Sequence, residues 1–351
     1  ITKIIATLSL RRMPLQVHHM KVNKEWLEKV SEEVVDPERR IIDPHHHFFV
    51  EGGGFPAYSV DDLISDVRTH NVVKTVYLQC WEGYRIDGPV ELQVVGETEY
   101  VDAIAKRLST VGEAVKISGI IATAELRDVN SVQTVLNAHK ASSKLFRGIR
   151  QMAAWDSSED IMNTPNLDHP MLYTDPDFVK GFRVLDDMNL VFDAWLYHHQ
   201  MRSLTKLAQK FPNTTIVLDH LGTPLGVGPY VGERDEVYTE WERELKELSK
   251  CPNVNVKLGG LAMPWNGFGF EDQDRPPSSD DIVEKQSLYY HAAIDAFGPS
   301  RCMFESNFPV DKCALSYHVL WNAFKKMSAQ YSESEQDDLF YGTAERVYRL
   351  D

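Results

Sequence analysis

The stretch Ile41-Ile42-Asp43-Pro44-His45-His46-His47-Phe48-Phe49 decides how the rest of the chain is read. Two apolar residues open a short strand, and three histidines follow where it ends. In an extended segment alternate residues share a face, so His45 and His47 can point together while His46 points elsewhere. Two converging imidazoles are the nucleus of a metal site. The competing reading, three histidines that merely cap a strand, is weaker because strand exits are where barrel enzymes place their chemistry.

Outward from this stretch, β-rich runs recur at Val72-Leu78, Val115-Ala122, Leu145-Ile149, Leu190-Trp195, Thr215-Leu218, Val254-Leu258 and Cys302-Phe304. Between them lie amphipathic stretches: Val60-Thr69 opened by Ser59, Glu97-Leu108, Val129-His139, Pro176-Met188, Arg202-Gln209, Val237-Ser249, Asp280-Ala296, Tyr317-Met327, and a last one near Glu333-Tyr348. Strict strand–helix alternation demands parallel strands joined by crossover helices. Eight such units predict an α/β fold of the (β/α)8 TIM-barrel type rather than an open, doubly wound sheet. Residues 161–174, 222–234 and 259–279 read as long loops following strands, so residues 23–351 are expected to form one domain. Ahead of the first strand, Lys24-Val35 has helical spacing that Pro37 breaks.

The 351 residues are 43% hydrophobic and 25% charged, an ordinary globular composition, and no run approaches the ~18 apolar residues of a membrane span. The formal charge of -15 opposes docking on a nucleic-acid backbone or an anionic membrane. It leaves a small molecule as the expected partner, with a homo-oligomer compatible. Cys80, Cys251, Cys302 and Cys313 are widely spaced, which suits reduced thiols and a cytoplasmic protein. Residues 1–22 read as an N-terminal extension. Its first twenty residues hold Lys3, Arg11 and Arg12 and no acid, the composition of a targeting segment, although a natural start at Met13 or Met20 is the stronger reading.

The sixth run ends Leu218-Asp219-His220-Leu221-Gly222, a further histidine at a strand exit, and the fifth leads into Tyr197-His198-His199-Gln200, of which one histidine is expected to face inward. These segments, with Asp43-Pro44-His45-His46-His47, Phe146-Arg147-Gly148-Ile149-Arg150 and Phe304-Glu305-Ser306-Asn307-Phe308-Pro309-Val310, resemble the amidohydrolase superfamily. The likeness is to its branch of lactonases acting on 2-pyrone-4,6-dicarboxylate, L-fuconolactone and L-rhamnonolactone, and it runs from about Trp26 to the C-terminus. The resemblance implies a site built on His45, His47 and His220, with His199 nearby. It also implies a divalent metal, zinc by ligand type, on the first three.

One departure stands out. Many relatives have Gly-Ser-Asp-Trp-Pro at the eighth strand, and here Asn307 replaces the aspartate. An amide is no base and a poorer ligand than a carboxylate. Glu305, on the same face, or Asp311, in the following loop, could supply the missing carboxylate; alternatively Glu305 pairs with a cation inside the barrel such as Lys257. Arg150 is placed to hold a substrate carboxylate in a bidentate pair. Trp81 and Tyr84 follow the second strand, where they either meet substrate or pack the loop. The function so implied is hydrolysis of a small lactone or related cyclic ester, anionic or neutral, with or without metal. The alternatives are a metal-dependent decarboxylase of an aromatic or unsaturated acid and a non-catalytic barrel that binds a small molecule.

Overall fold

Each β-rich run becomes a strand: β1 (Ile41–His46), β2 (Val72–Leu78), β3 (Lys116–Ala122), β4 (Phe146–Arg150), β5 (Val191–Ala194), β6 (Ile216–Leu218), β7 (Val254–Leu258) and β8 (Cys302–Phe304). The computed structural model describes residues 20–52, 54–165, 167 and 170–350; the expected N-terminal extension lies outside these up to residue 19. The strands pair in chain order and every pairing is parallel. Closure comes just past the strand ends, where His46 bridges Phe308, the His47 amide donates to the Phe308 carbonyl (2.8 Å) and the Asn307 amide to the His45 carbonyl (3.0 Å). The (β/α)8 barrel read from the sequence is the fold observed.

The first helices are α1 (Lys24–Leu27), α2 (Val60–Val67), α3 (Val95–Val111), α4 (Val132–Ser142) and α5 (Pro176–Asp187). After them come α6 (Met201–Lys210), α7 (Arg234–Ser249), α8 (Ser279–Phe297), α9 (Tyr317–Ser328), α10 (Glu333–Asp337) and α11 (Thr343–Tyr348). Several begin where their sequences carry a cap: Ser59 and Asp62 form a reciprocal capping box on α2, as do Ser278 and Asp281 on α8, and Asp175 accepts from the first-turn amides of α5 ahead of Pro176. No helix among the described residues is long and apolar enough to cross a membrane.

The helix expected over Lys24-Val35 stops at Leu27. Tertiary hydrogen bonds outcompete its weak amphipathic pattern. Trp26 Nε1 donates to the Gln273 carbonyl, Lys29 to that of Asp274, and Glu32 accepts from the amide and hydroxyl of Ser279, so the segment runs as a strap across the barrel. At the N-terminal end of the strands, Tyr348 and Leu350 plug the barrel against an inner layer of Ile42, Val76, Ile121, Val191, Val217 and Met303. One step of alternation further up, the inward positions turn polar.

Candidate active site

Local irregularity in β1 aims its histidines. The register against β2 shifts between Asp43 and His46, where Pro44 can donate no ladder hydrogen bond. Ile42 therefore joins the inner apolar layer, while Asp43 turns toward β8 and accepts from the Ser306 amide and the Tyr317 hydroxyl, each at 3.0 Å. His45 takes the inward position beyond it. As expected from alternation, His46 points elsewhere, to Thr75 Oγ1 at 3.0 Å, whereas Nε2 of His45 and Nε2 of His47 face each other at 3.1 Å.

Glu305 organises two of the histidines. Its Oε1 accepts from His220 Nδ1 (2.7 Å) and from the His220 amide (3.1 Å), and its Oε2 lies 2.7 Å from His45 Nδ1. The carboxylate on His220 Nδ1 leaves Nε2 of that ring as the lone-pair nitrogen, while Glu305 Oε2, beside His45 Nδ1, completes no hydrogen bond of its own. His47 reaches the same state by donating Nδ1–H to the Leu78 carbonyl (2.9 Å). Burial, with Lys257 next in weight for His45 and Arg150 for His47, pushes both rings far below the usual histidine range, so they are neutral. His220 is brought in by an unusual turn. It and Leu221 both adopt left-handed backbone (φ 54° and 55°), and Gly260 packs so close that a Cβ there would lie 2.5 Å from His220 Nδ1.

That turn also directs Asp219 inward, into the site itself. His45, Asp219 and His220 each place a ligand atom within 4.8 Å of the others, all buried. Neither Asp219 oxygen makes a well-formed hydrogen bond. The donor set fits a divalent cation on two further counts. Nε2 of His45 and Nε2 of His47 stand 3.1 Å apart, about the spacing that two ~2.1 Å nitrogen–zinc bonds would give, and Glu305 Oε2 beside His45 is a further buried oxygen without a hydrogen bond. The expected third ligand, His47, thus meets the trio through His45.

Below the histidines lies a buried ion network. Lys257 contacts Asp193 Oδ2 (2.7 Å), Asp219 Oδ1 (3.1 Å) and His45 Nδ1 (3.3 Å), and Tyr348 donates to the same Asp193 oxygen (2.7 Å). Lys257 therefore pairs with Asp193 and Asp219, not with Glu305 as the sequence had suggested as one option. The two aspartates differ. Burial raises both, but the charges of Lys257, His220 and Arg150 outweigh it at Asp219 and hold that carboxyl low, whereas Asp193 stays raised. Arg150 donates to the Gln79 carbonyl (2.6 Å) and lies 3.3 Å from His45 Nε2 and 3.6 Å from Asp219. Both terminal nitrogens of the guanidinium thus face protein groups, while its Nε is buried without a hydrogen-bond partner.

At the eighth strand Asn307 (φ 55°) donates through Nδ2 to Asp311 Oδ1 at 2.9 Å, and the Ala262 amide caps Oδ2 at 3.2 Å. Burial raises the Asp311 carboxyl to about 7, moderated by the nearby His220. His199 sits in a cluster of its own, 3.0 Å from Asp156 Oδ2, which also accepts from the Tyr230 hydroxyl at 2.8 Å. Its neighbour His198 is fully buried and accepts from the Leu225 amide. Trp81 and Tyr84 line a cavity of about 290 Å³ beside the central site, with Gln79, Thr123, Glu125, Arg127 and Gln151. Asp193, Asp219 and Lys257 had a legible signal, since ionisable residues at inward positions of short apolar strands are rarely idle.

A profile described as amidohydrolase matches residues 142–350, more than half the chain. The chain belongs to the amidohydrolase family. Among curated proteins, this amidohydrolase is 31% identical over 333 residues to an uncharacterised protein, y4mH, of Sinorhizobium fredii, covering 88% of this chain and 98% of that one. It is 26% identical over 326 residues to an L-fucono-1,5-lactonase of Burkholderia ambifaria, covering 88% and 96%. A zinc-bound amidohydrolase from Burkholderia multivorans superposes with a TM-score of 0.66 at 24% identity, over 89% of this chain and 99% of that chain, a likeness of fold. The family and the convergent cluster together make the protein a hydrolase.

Proposed function

We propose that this amidohydrolase opens small, hydroxyl-rich lactones, with a divalent ion, zinc by ligand type, held by His45, His220 and Asp219 and with His47 at its edge. The convergence of buried ligand atoms of His45, Asp219 and His220 within 4.8 Å of one another carries this reading, and a lactonase relative of nearly full length supports the substrate type. Such an ion supplies Lewis-acid polarisation of the ester carbonyl and acidifies water.

The protein's own groups supply the rest. Asp311 takes a proton from the water that attacks the carbonyl carbon and returns it to the ring oxygen as the ester bond breaks, leaving a hydroxy acid. A carboxyl raised to about 7 is suited to both transfers near neutrality. Arg150 adds positive charge beside the developing oxyanion. Glu305 is a positioning residue, since its oxygens face His45 and His220. Asn307 orients Asp311.

The cavity supports a neutral substrate. Arg127 lies 3.2 Å from Glu125 Oε1, which also accepts from Gln151 Nε2 at 2.8 Å, so the polar wall presents a paired guanidinium and amide hydrogen bonds. Metal content per chain, paired with turnover of aldonolactones before and after chelation, tests the proposal. The expected result is about one divalent ion per chain and hydrolysis that chelation abolishes and metal restores. Metal-replete protein that opens no lactone in such a panel would overturn it.

A further inference from the structure

The geometry points to Glu97 as a positioning residue that holds Trp81 at the cavity rim by pinning the backbone on both sides of it. Glu97 lies in the first turn of α3 and is fully buried. Its Oε1 accepts from the Cys80 amide (2.7 Å), the Glu82 amide (3.3 Å) and the Tyr77 hydroxyl (2.8 Å). The two amides flank Trp81, whose φ of 68° is left-handed, a conformation that costs a bulky L-residue energy and persists only where its surroundings impose it. One carboxylate oxygen bonded to amides at either side of a residue is such an imposition.

The rest of the loop is seated on the same helix. Gly96 meets the loop backbone so closely that a Cβ there would lie 2.5 Å from both the Gly83 carbonyl and the Arg85 amide. The Arg85 amide donates to the Gln93 carbonyl at 2.9 Å. The outcome is an indole 43% exposed yet lining the cavity together with Gln79 and Tyr84. A flat aromatic face presented on a rigid backbone is a platform for the apolar face of a ring, obtained without ordering a loop at the moment of binding. All three of the Glu97 bonds fall on Oε1, while Oε2 is buried without a hydrogen-bond partner. Burial raises its carboxyl to about 7, the cost of placing an acid there, and the groups facing it are Tyr77, Cys80, Glu82 and Tyr84.

This inference names a specificity element of the site and rests on the lactonase reading for its kinetic arm only. That arm compares Glu97→Gln, Trp81→Ala and the double variant on an aldonolactone. Glu97→Gln should raise KM about 3- to 10-fold with kcat within 2-fold, and should add little once Trp81 is already alanine. Multiplicative KM effects in the double variant, or a fall in kcat with KM unchanged, would overturn the proposal. The second arm needs neither substrate nor a folded variant: hydrogen exchange in the wild-type protein should find the Cys80 and Glu82 amides protected well beyond the Ile86 amide in the same loop. Equal, fast exchange at all three would overturn it even if lactones are turned over. Protected amides in a protein that opens no lactone would count against the substrate reading alone.

Discussion

The charged floor of the barrel mouth and the cavity beside it meet at Gln79, whose carbonyl accepts from Arg150 and whose side chain lines the cavity, yet the two regions are built differently. The floor hangs on strand ends: His45, Arg150, Asp193, Asp219, Lys257 and Glu305 occupy inward positions at or just past β1 and β4–β8, all buried, with partners reached across the barrel from other strands. The rim is built from loops. Trp81 and Tyr84 follow β2, Thr123, Glu125 and Arg127 follow β3, and Glu125 is exposed. A floor of this kind is rigid because removing one member of a buried ion network leaves the others unpaired, whereas a rim of this kind tolerates change. Chemistry is therefore assigned to the floor and selection to the rim, and each prediction below tests that division.

The largest effect is expected at Asp311. Replacing it with asparagine should lower kcat by about 10²- to 10⁴-fold, the span usual for a lost general base, with KM little moved. The sign of the pH dependence follows from its role: a base works ionised, so kcat/KM should rise with pH and level off above about 7, the value to which burial lifts this carboxyl. Asp311→Asn should erase that limb. A pH profile identical in the variant would transfer the base to another group and break the assignment.

A smaller effect is expected at Glu305. In Glu305→Gln an amide nitrogen must face one of the two imidazoles that the carboxylate now anchors. Metal affinity should fall about 10- to 100-fold, read by competition with a chromophoric chelator, with turnover recovering at saturating metal. Affinity unchanged by this substitution would mean that the histidines are set by their strands alone.

The same division explains what could be read from the sequence. Strand sites were legible because side-chain direction alternates with a fixed period, so the eight strands and the inward pairing of His45 with His47 followed from spacing. Alternation failed where the backbone leaves the extended region. Asp219 and His220 are adjacent and both face the site only because His220 and Leu221 are left-handed, a conformation their residue types do not announce. Arg150 was placed correctly on its strand, but its partners, a backbone carbonyl after β2 and a histidine from β1, depend on how three strands abut. The strap formed by residues after Leu27 shows the same limit, since its partners lie more than two hundred residues away in the chain. Trp81 was noticed for its type, while the buried glutamate that fixes it sits sixteen positions on, in a helix that the sequence presents as ordinary.

The smallest predicted effect lies on the rim and sharpens the division most. Glu125 accepts from Arg127 and Gln151, so Glu125→Gln would remove one carboxylate beside Arg127 while keeping the shape of the wall. An exposed pair of this kind is worth about 0.2–1 kcal/mol, which converts to a shift of roughly 1.5- to 5-fold. For a neutral aldonolactone KM should rise within that range and kcat should hold. For a lactone bearing a carboxylate, KM should fall by a similar factor, because one negative charge has been removed from the wall. Thermal unfolding should shift little, since the residue is exposed and bears no packing. Opposite movement of the two KM values at constant kcat is what a selecting rim above a catalytic floor requires; a common fall in kcat would mean that the loops after β3 reach the chemistry itself.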